Sequence, residues 1–483
     1  MNVENRPVFC FAGRFNRQEI LRDPQRAEQF RDQFVASESG YFQLCHDPST
    51  GLVYDGVDLD ARTGRVEKVR NWSAPSKECL DLGVLLKSLT GNAEAQRLVS
   101  PGRALELLEK KLDSYQEFQR ENPGYAGFLP WYYIRNGGIE ATPDWYGKIP
   151  GLDNGEWMWT MLLAEKVLRD GGHSQLAERY AGYNQGLIDN VTRVFYDPQG
   201  VACRGDVCIH DPKDPNTGYE ALNPGSFMTG EHGVHEGCML IHFLTLFGKD
   251  LPQGAAERIW EDIEMVRVET PSATTWQGFW GSAHESWAWL FLPFRDHAGY
   301  RDLHRLREQV RTQNAVERGY PGLATSTNGP RGGYLSAAGI EGVGSQPVTA
   351  NDTFAVYGVF PLMLEYAQHV GPGNLALAWL HNMLSAPRMQ GPLGAGESGT
   401  NDGQAFSAMK TTDGTHPTLL GMMGGLEKEM ADLLREKGKY EDFMQRIDRE
   451  YREAFSQPLN DRLPALAPQA RVPRHLLGDY EVV

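Results

Sequence analysis

Thr229-Gly-Glu-His-Gly-Val-His-Glu-Gly-Cys-Met-Leu-Ile-His-Phe-Leu-Thr-Leu-Phe247 is half loop and half helix, and the junction between the halves decides how the chain is read. Met239, Leu240, Phe243, Leu244 and Phe247 recur at three- and four-residue intervals and make one apolar helical stripe. Gly230 and Gly233 break regularity ahead of it, and Asn223-Pro-Gly225 forces a turn further upstream. Two carboxylates, Glu231 and Glu236, stand where loop becomes helix. Four further strong helices, every second one along the chain, also carry an acid and aromatics at or near their start. Successive helices joined by short turns run antiparallel, so alternate helices begin at one end of the molecule. Their acids meet at one mouth.

Outward from this stretch the pattern repeats. From residue 76 the chain reads as about twelve helices in consecutive pairs, with short connections alternating with long decorated ones. Ser100-Pro101 opens one of them as an N-cap followed by proline in the first turn. The connection from Tyr125 to Leu152 carries Trp131, Tyr132, Tyr133, Trp145 and Tyr146 and runs into Asp153-Asn-Gly-Glu156-Trp157-Met-Trp159. Connections this long are usually functional. Trp276-Gln-Gly-Phe-Trp280-Gly-Ser-Ala-His284-Glu285 leads into a helix expected over 286–294. A glycine-rich loop, 322–344, holds the polar run Thr325-Ser-Thr-Asn-Gly-Pro-Arg331. A helix is expected over 351–369 with Asn351-Asp352-Thr353 as its cap. Thr411-Thr-Asp413-Gly-Thr-His-Pro417 introduces the eleventh helix.

The expected fold is therefore all-α: an (α/α)6 toroid or barrel over residues 76–455 with decorated loops. A short β-containing lead, residues 1–75, precedes it, with a hairpin expected between Phe42-Gln-Leu-Cys45 and Leu52-Val-Tyr-Asp55. Residues 456–483, with prolines at 458, 464, 468 and 473, read as a tail laid along the surface.

Composition narrows the function. The 483-residue chain is 41% hydrophobic and 23% charged, as a folded globular protein is. A net charge of −16 disfavours nucleic acid or an anionic membrane as partner, and no apolar run reaches the roughly 18 residues of a membrane span. No signal-peptide pattern opens the sequence, which as written indicates the cytoplasm, or the periplasm or exterior if a leader has been removed. Six cysteines are too few for a disulfide framework, although Cys203 and Cys208 could close a small loop.

Carboxylates that face one another across a cleft can share acetal hydrolysis, one protonating the leaving oxygen and the other activating water or attacking carbon. Tryptophan and tyrosine faces nearby suit the apolar faces of sugar rings. An acid at a helix start is more often a cap or a dipole match, and Glu78 and Asp352 are read that way. Glu156, Glu236, Glu285 and Asp413 coincide with long loops and tryptophans and are the candidates for chemistry. A general acid there must hold its proton against the helix dipole, and Glu231 is a neighbour that could raise the carboxyl pKa of Glu236. His232-Gly-Val-His235-Glu236 lacks His-Glu-x-x-His spacing, so no metal is expected. Gly394-Ala-Gly-Glu-Ser-Gly399 has no strand before it and no βαβ unit around it, so no dinucleotide cofactor is expected either.

Several of these motifs resemble the endo-β-1,2-glucanases of glycoside hydrolase families 144 and 162 and their glucoamylase-like relatives. They are Leu152-Asp153-Asn-Gly-Glu156, His235-Glu236 with Leu240 and Gly248-Lys-Asp-Leu-Pro252, Trp280-Gly-Ser-Ala-His-Glu285, Gly322-Leu-Ala-Thr-Ser-Thr-Asn328 and Thr412-Asp413-Gly-Thr-His-Pro417. They span roughly residues 125–430 in the family's order. The resemblance implies an (α/α)6 barrel that cuts β-1,2-glucan internally, with inversion, to sophoro-oligosaccharides. Glu236 matches the general acid, with Glu231 a rival. Asp413 matches the base, which in the family reaches its water through a substrate hydroxyl. Asp153 and Glu156 match a paired acid motif that supports the cleft. Trp131, Trp157, Trp276, Trp280, His284, Glu285 and Arg331 are expected to bind substrate, the His-Glu-Ser at 284–286 replacing a usual Phe-Glu-Tyr. A carbohydrate is the expected partner, with the chain a monomer or homodimer. Transglycosylation, hydrolysis of another glucan linkage, and non-catalytic oligosaccharide binding are the alternatives.

Overall fold

Among the described residues helix rather than strand comes first, after a 3-10 turn at Phe11–Arg14. In the computed structural model, which describes residues 10–223, 226–228, 237–366, 373–459, 464–473 and 477–481, α1 (Arg17–Arg22) and α2 (Pro24–Phe42) come first. Asp23 caps α2 by accepting from the backbone amides of Gln25 and Arg26, with Pro24 in the first turn. Buried Phe30, Phe34 and Tyr41 keep helical spacing to the end of α2. The expected hairpin between 42–45 and 52–55 therefore shrinks to a single bridge, His46 to Val53. Strand Gly56–Leu59 follows and pairs on one side with Val66–Arg70 and on the other with Met409–Thr411. That pairing weaves the lead into a segment 350 residues later in the chain.

Most of the expected helices form: α3 (Pro75–Leu89), α5 (Pro101–Glu121), α6 (Gly151–Asp170), α7 (Ser174–Phe195), α8 (Cys238–Phe247), α9 (Ala255–Glu261) and α10 (Ala298–Glu317). Short α4 (Ala93–Leu98) is additional. Two expectations are corrected. His284–Leu290 is 3-10 rather than α-helical. The segment expected to be helical from Asn351 opens instead as strand Thr353–Ala355, paired with Ser398–Thr400, and becomes α11 (Phe360–Tyr366) only after a 3-10 turn. There the strand pairing supplies the backbone partners that a helix would otherwise provide. Helices α12 (Gly373–Leu384), α13 (Thr412–Met422), α14 (Glu427–Glu436) and α15 (Tyr440–Ala454) complete the series, α14 being a second addition.

Helix α6 is apolar nearly all round and is buried continuously from Asn154 to Glu165, so it must lie inside. It packs between α3, α7 and α8; α3 packs in turn on α13, and α13 on α11. Five helices thus lie side by side in the order α11, α13, α3, α6, α8. Gly155 permits the last crossing: a Cβ there would meet the Leu240 backbone nitrogen at 2.8 Å. Trp159 closes the same seam by donating Nε1–H to the Met239 carbonyl at 2.9 Å.

Described residues after 456 touch the body. Trp379 donates to the Leu466 carbonyl, and Tyr480 is buried against Phe406. Cys203 and Cys208 are free thiols, so the small disulfide loop is absent. Among the described residues no helix is long and apolar enough to cross a membrane.

Candidate active site

Four helix starts open on one cavity of about 690 Å³. Ser76 and Lys77 come from the first turn of α3, Asp153 and Glu156 from α6, His284 and Trp287 from the 3-10 segment, and Asp413 from α13. Trp72, Trp131 and Tyr334 complete the walls that matter for a sugar. Of these four starts, those of α6 and α13 bring acids to the cavity, whereas α3 and the 3-10 segment bring Ser76, Lys77, His284 and Trp287, their own acids Glu78 and Glu285 being buried elsewhere. A hollow of about 630 Å³ on the outer face, between α5 and α7, is lined by Leu105, Glu109, His173 and Arg179 and has no tryptophan or tyrosine in its wall.

Local sequence explains each placement. Thr411 caps α13, its side chain accepting from the Gly414 amide, which fixes Asp413 in the first turn. A Cβ at Gly414 would lie 2.3 Å from Glu397 Oε2. The glycine therefore lets buried Glu397 reach behind the turn, where its carboxylate accepts from Thr411 Oγ1 at 2.6 Å and from Asn328 Nδ2 at 2.9 Å. In α6, Asn154 exchanges hydrogen bonds with the Leu129 backbone, donating at 2.8 Å and accepting at 3.0 Å. That exchange brings the long aromatic connection over the start of the helix. The connection folds as strands Tyr132–Arg135 and Gly138–Ala141 beside Trp72–Ser73, with Trp72 opposite Tyr133. Trp72 and Trp131 consequently sit 5.6 Å apart, and Trp145 lies 5.3 Å beyond Trp131.

The charges form a chain. Lys77 Nζ pairs with Asp413 Oδ2 and lies 3.4 Å from Asp55 Oδ1. Arg70 pairs with Asp55 and, at 3.2 Å, with Asp58. Asp413 Oδ1 is shielded from solvent and has no hydrogen-bond partner among the described residues. Burial works against the Lys77 ammonium, but the Asp413 and Asp55 carboxylates outweigh it and hold the group above the ordinary lysine value. Burial raises the Asp55 carboxyl, Lys77 and Arg70 oppose the rise, and the Asp413 charge adds to it. Across the cavity Asp153 accepts from Ser76 Oγ and, at 3.1 Å, from Trp131 Nε1. Glu156, one turn deeper, is buried in the cavity wall.

The structure brings Asp413, Asp153, Glu156, Trp131 and His284 together and moves five other expected contacts elsewhere. Trp157 is fully buried between Tyr115 and Tyr183 and belongs to the core. Trp276 stacks on Trp289 under the Arg307 guanidinium, also out of reach. Glu285 is buried, pairs with Arg307 and accepts from the Trp280 and Gly281 amides, so it anchors the loop rather than the substrate. Arg331 is exposed on the hairpin arm and pairs with Asp352 at 2.6 Å. Trp280 is half-buried against Phe279 and is not in the cavity wall. Glu231 and Glu236, with His232 and His235, lie outside the described residues. Sequence reasoning missed Lys77, Asp55, Arg70 and Trp72. The available signal was Ala74-Pro75, whose proline marks a helix start three residues before the one expected at Glu78. Trp287 also lines the cavity.

The family described as endo-beta-1,2-glucanase SGL matches residues 52–483. An endo-β-1,2-glucanase from Talaromyces funiculosus, solved as a mutant with β-1,2-glucan, is 27% identical, superposes with a TM-score of 0.92, and is covered over 99% of its length by 98% of this chain. The same enzyme with sophorose gives a TM-score of 0.91 at the same identity and coverage. An endo-β-1,2-glucanase from Chitinophaga pinensis shares the fold with a TM-score of 0.65 at 12% identity, over 87% of this chain and 98% of that one. No curated protein sequence matches.

Proposed function

The chain belongs to the endo-β-1,2-glucanase SGL family and is a glycoside hydrolase of β-1,2-glucan, and from that premise we propose that Glu236 is its general acid and Asp413 its general base in an inverting, internal cleavage. Glu236 protonates the glycosidic oxygen as the bond to the anomeric carbon breaks. Asp413 takes the proton of the attacking water, through a substrate hydroxyl, as the new carbon–oxygen bond forms on the opposite face. The β-linkage thereby yields an α-anomeric end.

The observation that carries this reading is the state of the Asp413 carboxylate. Its side chain is 34% exposed and lines a cavity walled by Trp72 and Trp131, with Oδ2 paired to Lys77. Glu236 precedes the first turn of α8 by two residues, and that turn packs on the start of α6 through Leu240. Asp153 and Glu156 then shape the cleft between acid and base. In the same reading α3, α6, α8, the 284–290 segment, α11 and α13 are the inner helices of an (α/α)6 barrel over residues 76–455. Residues 1–75 and 456–483 wrap that barrel.

Wild type, Asp413→Asn and Glu236→Gln are compared on linear β-1,2-glucan, with the first-formed anomer read by proton NMR. Sophoro-oligosaccharides with α ends are expected from wild type. Each variant is expected to lose about 10²–10⁴-fold in rate, as loss of a general acid or base does. Activity retained by Asp413→Asn removes it as base, and β-anomeric products remove inversion.

A further inference from the structure

We propose that Lys77 is the positioning residue of this reaction: its ion pair fixes the Asp413 carboxylate in the cavity wall and keeps it available as the base. The inference rests on the reading of Asp413 as base.

The geometry is that of a shared cation. Only 6% of the Lys77 side chain is exposed, and its ammonium stands 4.9 Å over the Trp72 ring. It pairs with Asp413 on one side and lies 3.4 Å from Asp55 on the other. Asp55 has a second cation in Arg70, whereas among the described residues Asp413 has Lys77 alone. The Lys77 charge is therefore shared by two carboxylates, of which Asp55 has a second cation in reserve. Chemistry gives this consequence: a general base must be ionised to act, and an ammonium in contact favours the charged carboxylate.

Among the described residues, the other titratable groups near Asp413 on the packed elements work against Lys77 or are held apart from it. Asp55, ahead of the Gly56–Leu59 strand, and Asp153 on α6 are like charges near Lys77 and Asp413. Glu397 backs the α13 turn, with its carboxyl raised by burial and, in part, by the Asp413 charge. Tyr357 stays a phenol through burial, and burial favours the neutral ring of His416, which meets Asp81 at 3.3 Å. Lys77 is thus the cation that decides the charge balance at the base.

The pH dependence of kcat/KM on β-1,2-glucan tests the proposal with Lys77→Met, Lys77→Arg and Asp55→Asn. Lys77→Met is expected to move the acidic limb upward by about 1–3 in pH, the span that a neighbouring cation gives a carboxylate. Lys77→Arg is expected to return the limb to its wild-type place. Asp55→Asn removes a competitor for the ammonium and is expected to move the limb downward. A residue that merely holds the fold would not shift the limb in opposite directions for these two losses. Melting temperature and circular dichroism check folding, and Asp55→Asn with Lys77→Arg decide the question if Lys77→Met does not fold. An acidic limb that stays in place in all three variants overturns the inference. If Asp413→Asn is active, the assignment of the base has failed. If it is inactive while the limbs stay fixed, only the role of Lys77 has.

Discussion

Lys111 Nζ lies 2.6 Å from Glu78 Oε2, and both side chains are fully buried. Glu78 also accepts from the Tyr115 and Tyr132 hydroxyls, at 2.6 and 2.8 Å, and from the Val53 amide at 3.0 Å. The same ammonium reaches Asp81 Oδ2 at 2.9 Å. Glu78, which the sequence offers as a helix cap, is instead the hub joining α3, α5, the aromatic connection and the lead. Breaking a buried pair from one side leaves an uncompensated charge, which costs about 3–5 kcal/mol. Here two carboxylates would be stranded. Lys111→Met is therefore expected to lower the unfolding free energy by about that amount, read from urea denaturation. A change under about 1 kcal/mol would mean that the three tyrosine and backbone donors alone satisfy Glu78.

His46 supplies a pH signature of the same cluster. Burial works against its imidazolium, yet Asp81, 2.9 Å away, more than offsets that and the ring is pushed up to about 10. The folded value lies above the unfolded value of about 6.5, so the stabilisation is complete below the unfolded value. It declines as pH rises toward the folded one. Melting temperature is expected to fall as pH rises from about 6.5 toward 10. His46→Gln is expected to flatten that slope while lowering stability at pH 6. Equal slopes in both proteins would show that the ring is neutral in the folded state.

The helices and the convergence of their starts were legible because both follow from local periodicity and chain alternation. Asp413, Glu156 and Trp131 were placed by that route, and Asp153 by its motif. Trp157 and Trp276 were not separated from Trp131, because a tryptophan beside an acid reads the same whether its ring points into the cleft or into the core. Only packing against Tyr115 and Tyr183, or under Arg307, distinguishes them. Lys77 and Asp55 escaped notice because their partnership spans 336 residues of sequence to Asp413, and no periodicity encodes a contact at that distance. The 353–355 strand was hidden for the same reason: its partner at 398–400 lies in a distant loop.

The two tryptophans can be told apart by experiment. Trp131 lies in the cavity wall, oriented by its Nε1–H bond to Asp153 at 3.1 Å. Trp131→Ala is expected to raise KM on long β-1,2-glucan by about 2–10-fold, the worth of a lost aromatic contact of roughly 0.5–1.5 kcal/mol. Its melting temperature should change little. Trp157→Ala opens a cavity in the core and is expected to cost about 3–5 kcal/mol of stability with KM unaltered. A KM effect from Trp157→Ala without loss of stability would return that residue to the cleft.

Gly155 links fold and chemistry more tightly than any side chain in its motif. A methyl group there would lie 2.8 Å from the Leu240 nitrogen and 2.9 Å from its Cα, distances that backbone cannot accommodate without moving. The two helices it separates carry Asp153 and Glu156 on one side and enter directly from Glu236 on the other. Gly155→Ala would gain about 1 kcal/mol in helix propensity at an exposed site. Here the overpacking, about 1–3 kcal/mol, outweighs that gain. The displacement falls on the first turns, where the cleft is built, so a shift of a few tenths of an ångström reaches the reacting groups. Gly155→Ala is therefore expected to lose more in kcat/KM than its stability change implies, measured well below its melting temperature where the variant is fully folded. Full activity in a destabilised variant would show that the α6–α8 seam bears on the fold alone and leaves the acid and base where they are.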